Sequence, residues 1–372
     1  MEVKKVELTE LFYDLVFVYA ISKMTALIHH LHHGVVSPIA IFTFITCLLI
    51  VVNVWIFQTV FINRYGRNSF WNIGALFLSM ACILFMSNSF STQNWEAVFH
   101  PYALMTGLTT VILAVQYFVQ YFQSTDKKEK SYTFHYTLIL SVRSLIVLLS
   151  AMLPYNIGIV LFFVGVFIGV VLPIFIRSEA SSIPVHFPHL VERFSLLVII
   201  TFGEMLIGVA PYFTARTFSR LSVLVFLIVG FLFLFYIVEV DHLIDHHRKN
   251  ESGYRLIYWH YPIFIGLSLI TVSLGFFREQ VQPLFLVLFL YTGLFLFYGG
   301  TYALQTYNKP EVAYPRSFVI SESALFGLGL IGSLIFSKHL SIVLVVTTLM
   351  ISSISIRYVR FTIAKLYHTN TH

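Results

Sequence analysis

Glu7, Glu10 and Asp14 stand three and four residues apart where the stretch "ELFYDLVFVYA", residues 10 to 20, opens a run otherwise made of Phe, Val and Leu. That spacing puts three carboxylates on one helix face, which continues through Val18 and Ile21. Acids in the first turns of a helix are favoured by its dipole, so Glu7 and Glu10 have a purely electrostatic explanation. Asp14 lies about a turn deeper and needs a cavity, a partner or a proton. A like charge four residues away also pushes one of the two acids toward protonation.

Further ionisable residues fall inside apolar runs, where a charge near the bilayer centre costs roughly 2.5–3.5 kcal/mol on insertion scales. Counting from the helix starts places Lys23, Arg143 and Glu204 near mid-depth. Arg193 and Glu204 share one helix but stand roughly 16 Å apart along it, too far to pair. Depth therefore favours Arg143 or Lys23 as the partner of Glu204, either as a structural ion pair or as a site for an ion, a proton or an anionic substrate. Glu239 and Asp241 sit at the cytoplasmic, dipole-negative end of the eighth helix, either solvated there or facing the same inner vestibule as Asp14. His242 and His246 share a face and "HHLHH", from His29 to His33, clusters imidazoles, but no spacing fixes a full ligand set, and no metal site is assigned. His135 and His260 read as hydrogen-bonded polar residues rather than haem ligands, and no cofactor is expected.

Long helices must carry these residues. The chain has 372 residues, 58% hydrophobic and 11% charged, with a mean hydropathy of +0.84; a soluble domain has about 25% charged residues. A hydrocarbon core of about 30 Å needs roughly 20 helical residues. Runs of that length lie near 10–30, 37–62, 70–90, 98–122, 131–152, 156–176, 191–211, 218–241, 254–276, 283–305, 317–336 and 339–358. Stretches such as "IGIVLFFVGVFIGVVLPIFI" are continuously apolar, unlike the alternating strands of a membrane barrel. The expected fold is an all-α integral membrane protein of about 12 transmembrane helices.

The net charge of +6 and the basic isoelectric point do not call for nucleic acid. With the N-terminus inside, one face collects Lys4, Lys5, Arg64, Arg67, Lys127, Lys128, Lys130, Arg177, Arg193, Arg248, Lys249, Arg255, Lys309, Arg316, Arg357, Arg360 and Lys365. The other face receives only Arg216, Arg220, Arg278 and Lys338. Such a bias sets orientation and predicts a multi-pass protein of the plasma membrane with both termini cytoplasmic. The first helix follows Lys4 and Lys5 as a signal peptide would, but it contains Asp14 and Lys23 and lacks a small-residue cleavage pattern, so it is expected to be retained. Cys47 and Cys82 fall in apolar runs and form no CxxC pattern.

Connections are short, and no soluble domain fits between helices, so residues 1–372 read as one polytopic domain. The stretch "RSEASSIPVHFPH" divides the chain into halves of approximately 1–182 and 183–372, six crossings each. At a shift of 182 residues, "ELFYDLVFVYAISKM" from Glu10 aligns with "ERFSLLVIITFGEML" from Glu192, sharing Glu, Phe, Leu and Val at matching places. An even number of helices per half predicts parallel repeats about an axis along the membrane normal. The first and seventh helices would then flank that axis together.

Four segments carry a resemblance: "ELFYDLVFVYAI", "NVWIFQTVFINRY", "HLVERFSLLVIITFGE" and "HYPIFIGLSLITVSLG". Together they resemble the bacterial low temperature requirement A (LtrA) family over most of the chain. The resemblance implies a polytopic bacterial membrane protein associated with growth in the cold, and makes Glu10, Asp14, His189, Glu192, Arg193, Gly203 and Glu204 its motif residues. Ser195 and Met205 depart from the family's Gly and Ser at those places, so position 205 supplies no hydroxyl beside Glu204. "FYDLVFVYAI" is also similar to the Phe-Ser-Asp motif that opens both halves of a lysosomal potassium and proton leak channel family, although the seventh helix has Phe194-Ser195-Leu196, without the acid.

The resulting expectation is an ion- or proton-conducting, or proton-coupled, transport protein in the lipid bilayer. Paired first and seventh helices would line a path for protons or a small cation, with Asp14 near the inner mouth and Glu204 deeper. Glu10, Lys23, Arg143, Glu192, Arg193, Glu239, Asp241 and His260 complete the candidates. The competing reading is a membrane-embedded enzyme or lipid-handling protein using His260, Glu239 and Asp241 at the inner leaflet. A non-catalytic membrane scaffold is the third. No "GxxxxGK[ST]" sequence is present to support ATP-driven pumping.

Overall fold

A computed structural model describes residues 4–91, 94–175, 183, 185–248 and 251–369. Arg177 and Lys249 of the expected cytoplasmic set, and residues 176–182 and 184 of the central linker, lie outside them. Twelve helices appear among the described residues: α1 Leu8–Ala26, α2 Pro38–Tyr65, α3 Phe70–Asn88, α4 Trp95–Gln123, α5 Lys127–Ser150, α6 Tyr155–Phe175, α7 Phe187–Val209, α8 Arg220–Ile237, α9 Tyr254–Phe276, α10 Pro283–Ala303, α11 Arg316–Ile335 and α12 Leu340–Thr369. The protein is an all-α polytopic membrane protein. Eleven of the helices are long and apolar enough to cross a membrane. α1 is not among those eleven, and its 19 residues include Glu10, Asp14 and Lys23.

The helix ends follow local chemistry. Asp126 caps α5 by accepting from the Glu129 N–H at 3.4 Å, satisfying one of the donors a helix start leaves unpaired. α1 stops at Ala26, short of the apolar run in the sequence. Beyond it the chain forms a two-residue-strand hairpin, β1 Leu31–His32 and β2 Val35–Val36. His33 and Gly34 turn it with φ of 51° and 80°, the left-handed pair that a tight hairpin turn needs. α12 runs on past the expected end near 358, because Arg357, Arg360 and Lys365 end the apolar pattern without breaking the helix.

The chain forms two compact units. The first holds the described residues within 4–27, 38–197 and 247–254. In it α4 packs along α5, α5 along α6, α3 along α4, and α1 against α3 and α2. The second holds residues 28–37, 198–246 and 255–369, where α12 packs against α8 and α11. There α8 ends in a π-helical turn, Val238–Leu243. Gly266 lets α9 meet α10: a Cβ there would stand 2.6 Å from the Gly293 carbonyl oxygen. Small residues permit this kind of backbone approach between membrane helices.

Candidate functional site

The buried face of α1 reads Glu10, Tyr13, Asp14, Phe17, Ala20, Ile21 and Met24, while Leu8, Phe12 and Leu15 are exposed. The 3.6-residue period therefore turns both acids inward. Asp14, 1% exposed, meets two donors. Arg193 Nη2 of α7 stands 2.6 Å from Asp14 Oδ1 and Trp55 Nε1 of α2 donates to the same oxygen at 2.7 Å. Arg193 Nη1 also donates to Glu10 Oε2. Its guanidinium lies 5.7 Å from the Trp55 ring centroid, a cation–π contact that helps hold the charge in an apolar surround. Glu10 in addition accepts from the Glu7 N–H at 3.4 Å, as the inner half of a capping box.

His189, one turn before Arg193, extends the network. Its Nε2 lies 3.2 Å from Glu10 Oε2 and its Nδ1 3.0 Å from Asn63 Nδ2. The Asn63 amide has one orientation that satisfies its partners, since the His186 N–H donates to Oδ1 at 2.9 Å and Nδ2 donates to the His186 carbonyl at 3.0 Å. Asn63 Nδ2 must then donate to His189 Nδ1 with its second hydrogen. His189 is therefore a neutral imidazole whose Nε2–H donates to Glu10. One Asp14 oxygen, Oδ2, has no hydrogen-bond partner.

A cavity of about 710 Å³ opens beside this cluster, and Glu10 and His186 are in its wall. Its other walls come from the segment before α1, the α2–α3 connection, α4 and the start of α5. Lys4 spans the carboxyl end of α2, donating to the carbonyls of Ile62, Asn63 (3.1 Å) and Gly66 (3.3 Å), where the dipole favours a cation. Burial pulls the Lys4 ammonium below the ordinary lysine value, opposed by Glu10 and Glu7. Burial, then Lys4 and His189, likewise lower His186.

The remaining candidates separate. Arg143 is fully buried on α5, donating to Asn53 Oδ1 at 2.8 Å and lying 5.2 Å from the Phe57 ring. It belongs to the first unit and Glu204, half-buried on α7, to the second. Lys23, expected near mid-depth, instead sits exposed in the last turn of α1 with its ammonium 5.3 Å from the Tyr19 ring. The early end of α1 moves it to the terminus, where the dipole favours a cation. Glu192 is exposed although its neighbour Arg193 is buried, because adjacent helical residues point about 100° apart.

In the second unit Glu239 is fully buried on the π-helical turn, and its Oε2 accepts from Tyr314 at 2.6 Å and from Tyr358. Burial, then Glu239, push the Tyr314 phenol above its ordinary value. Asp241 is exposed. His260 has both nitrogens engaged, Nδ1 with the Leu256 carbonyl at 2.7 Å and Nε2 with the Tyr236 hydroxyl at 3.0 Å. His246 Nε2 lies 3.0 Å from the Val240 carbonyl, and no group of three or more metal-type ligands occurs among the described residues.

The two segments that meet through Arg193 are the opening of α1 and the opening of α7. The sequence profile of the bacterial low temperature requirement A protein matches residues 5–353 and so includes both. The chain belongs to the LtrA family. LtrA membership makes it a multi-pass membrane protein of a bacterial family linked to a low-temperature requirement. No curated protein and no solved structure matches the chain. Of the residues that the resemblance marks as motif residues, Glu10, Asp14, His189 and Arg193 form one buried network. Trp55 and Asn63, its other members, lie in "NVWIFQTVFINRY" and had no role assigned from sequence. Their separation of eight residues, about two helical turns, was the available signal that they share a face. Glu322, which receives Arg357 Nε at 2.6 Å, gave no such signal.

Proposed function

We propose that this LtrA protein is a proton-conducting or proton-coupled transport protein of the plasma membrane, with both termini cytoplasmic and Asp14 as its proton-binding group. The observation that carries the reading is the charge count of the buried network. Two carboxylic acids, Glu10 and Asp14, face one guanidinium, Arg193, and the imidazole beside them is neutral by its hydrogen bonds. An uncompensated charge is strongly disfavoured at a side chain buried as deeply as Asp14, which favours one proton on the carboxyl pair. Asp14 Oδ2, lacking a partner, is the oxygen open to it.

Glu10 gives the network an access point, because it belongs both to the buried cluster and to the cavity wall. A proton arriving from the cavity meets Glu10 first and is shared by the carboxyl pair that Arg193 holds, Arg193 keeping its own protons throughout, and the network is neutral once Asp14 takes it. Purified protein in liposomes carrying an internal pH-sensitive dye tests this. Under an imposed membrane potential the wild type acidifies or alkalinises the lumen, and Asp14→Asn, which keeps the shape but cannot release a proton, slows the change at least tenfold. Wild-type liposomes no faster than empty ones, or an Asp14→Asn variant as fast as wild type, would refute the reading.

A further inference from the structure

The cavity beside Glu10 has walls that a proton path does not require. Gln116 of α4 lies in its wall at 2% exposure, and neither its amide nitrogen nor its amide oxygen has a hydrogen-bond partner. A buried polar group left unpaired costs about 1–3 kcal/mol. A carboxamide with both ends open suits a ligand that both accepts and donates.

The surrounding charges select its sign. Four cations, Lys4, Lys5, Arg64 and Arg67, stand in the wall with the acids Glu7, Glu10 and Glu129. Glu10 is held by Arg193, which leaves the wall with an excess of positive charge. The amino end of the 19-residue helix α3 is in the same wall through Asn72 and Ile73, and adds the positive end of its dipole. The volume of about 710 Å³ is that of an ordinary small-ligand pocket.

We propose that this cavity binds a phosphate group, carried by a phospholipid headgroup or by a soluble phosphate ester. Gln116 Nε2 and the exposed Lys5 and Arg67 donate to the phosphate oxygens. Gln116 Oε1, Glu7 and Glu129 accept from hydroxyl or ammonium groups attached to it. Leu8, between Glu7 and Thr9 of the wall, is 82% exposed, and Phe70, two residues from both Asn68 and Asn72 of the wall, is 96% exposed. Apolar groups so placed suit acyl chains entering beside a bound headgroup.

The proposal stands on the cavity wall and not on the proton reading, so a failure of proton flux leaves it untouched. Its test is the thermal unfolding of purified full-length protein in detergent, titrated with inorganic phosphate, dihexanoyl phosphatidylglycerol, or dioctanoylglycerol, which has no phosphate. A saturable rise in Tm with phosphate supports a soluble phosphate ester, and a rise with phosphatidylglycerol alone supports a lipid headgroup. Gln116→Leu, which removes an unpaired buried amide, is expected to unfold no earlier than wild type without ligand, and to weaken the apparent affinity at least tenfold. Arg67→Ala, at an exposed position, is expected to weaken it several-fold and supplies the test if Gln116→Leu folds poorly. No response to either phosphate compound, an equal response to dioctanoylglycerol, or unchanged affinity in the folded variants would overturn the proposal.

Discussion

Arg193 faces Glu10 and Asp14 with its side chain fully buried, so each of the three groups depends on the others. Removing one member of a buried ion pair costs about 3–5 kcal/mol, mostly because a charge is left without compensation, whereas removing all the charges together is often near neutral. Arg193→Met alone should therefore lower the stability in detergent by about 3–5 kcal/mol, with the unfolding midpoint in denaturant as the readout. Adding Glu10→Gln and Asp14→Asn to Arg193→Met should recover most of the loss while leaving proton flux abolished. If the triple variant stays as unstable as Arg193→Met, the network owes its cost to lost packing and hydrogen bonds and the charge argument fails. At this scale the sequence was partly legible. The depth of Asp14 below its helix start marked it as needing a partner, and Arg193 followed only from the family motif. What spacing could not disclose was the pairing across 179 residues of chain, or that Glu192 would turn outward where Glu10, its counterpart in the expected repeat, turns in.

At the scale of elements, α6 illustrates how a helix with no charged residue of its own serves a charge on its neighbour. Gly169 lies against Arg143 of α5, and a Cβ there would stand 2.5 Å from Arg143 Cδ and 2.7 Å from Nη1. Arg143 has little room to give way, being fully buried and bound to Asn53 Oδ1. Gly169→Ala is expected to cost about 1–3 kcal/mol through overpacking, although alanine is the better helix former by roughly 1 kcal/mol. Gly299, where nothing lies within 4 Å, provides the contrast: Gly299→Ala should follow helix propensity and be neutral or stabilising. Equal unfolding midpoints for Gly169→Ala and wild type would show that Arg143 can shift after all. The helices themselves were legible from apolar run length, and α9 begins and ends where hydropathy placed it. The exceptions have local causes: the His33–Gly34 turn ends the first apolar run early, and the basic tail of α12 stays helical although it is no longer apolar.

For the whole molecule, orientation rests on charge. The connection between α7 and α8 and the connection between α9 and α10 carry Arg216 and Arg278, and Lys338 precedes α12, whereas the connections on the other face hold clusters such as Lys127, Lys128 and Lys130. Translocating such clusters is disfavoured, and on that ground the proposed orientation keeps the clustered face in the cytoplasm. The cytoplasmic N-terminus depends on α1 crossing the membrane, although among the described helices α1 is the one outside the apolar set. Its two buried acids face Arg193 and Trp55 and its apolar residues Leu8, Phe12 and Leu15 face outward, so the outward surface it presents along this stretch is greasy. If α1 crosses, twelve crossings return the C-terminus to the side of the N-terminus; if it does not, the two lie on opposite sides. Alkaline phosphatase, active only outside the cytoplasm, should be inactive when fused after either Lys130 or the C-terminus and active when fused after Arg216. A green fluorescent protein at the C-terminus should fluoresce. A cysteine placed ahead of Lys4 and labelled from outside by an impermeant maleimide, with the Lys130 fusion still inactive, would leave an odd number of crossings between the N-terminus and Lys130. It would remove α1 from the membrane and with it the case for Asp14 as a proton site within the bilayer.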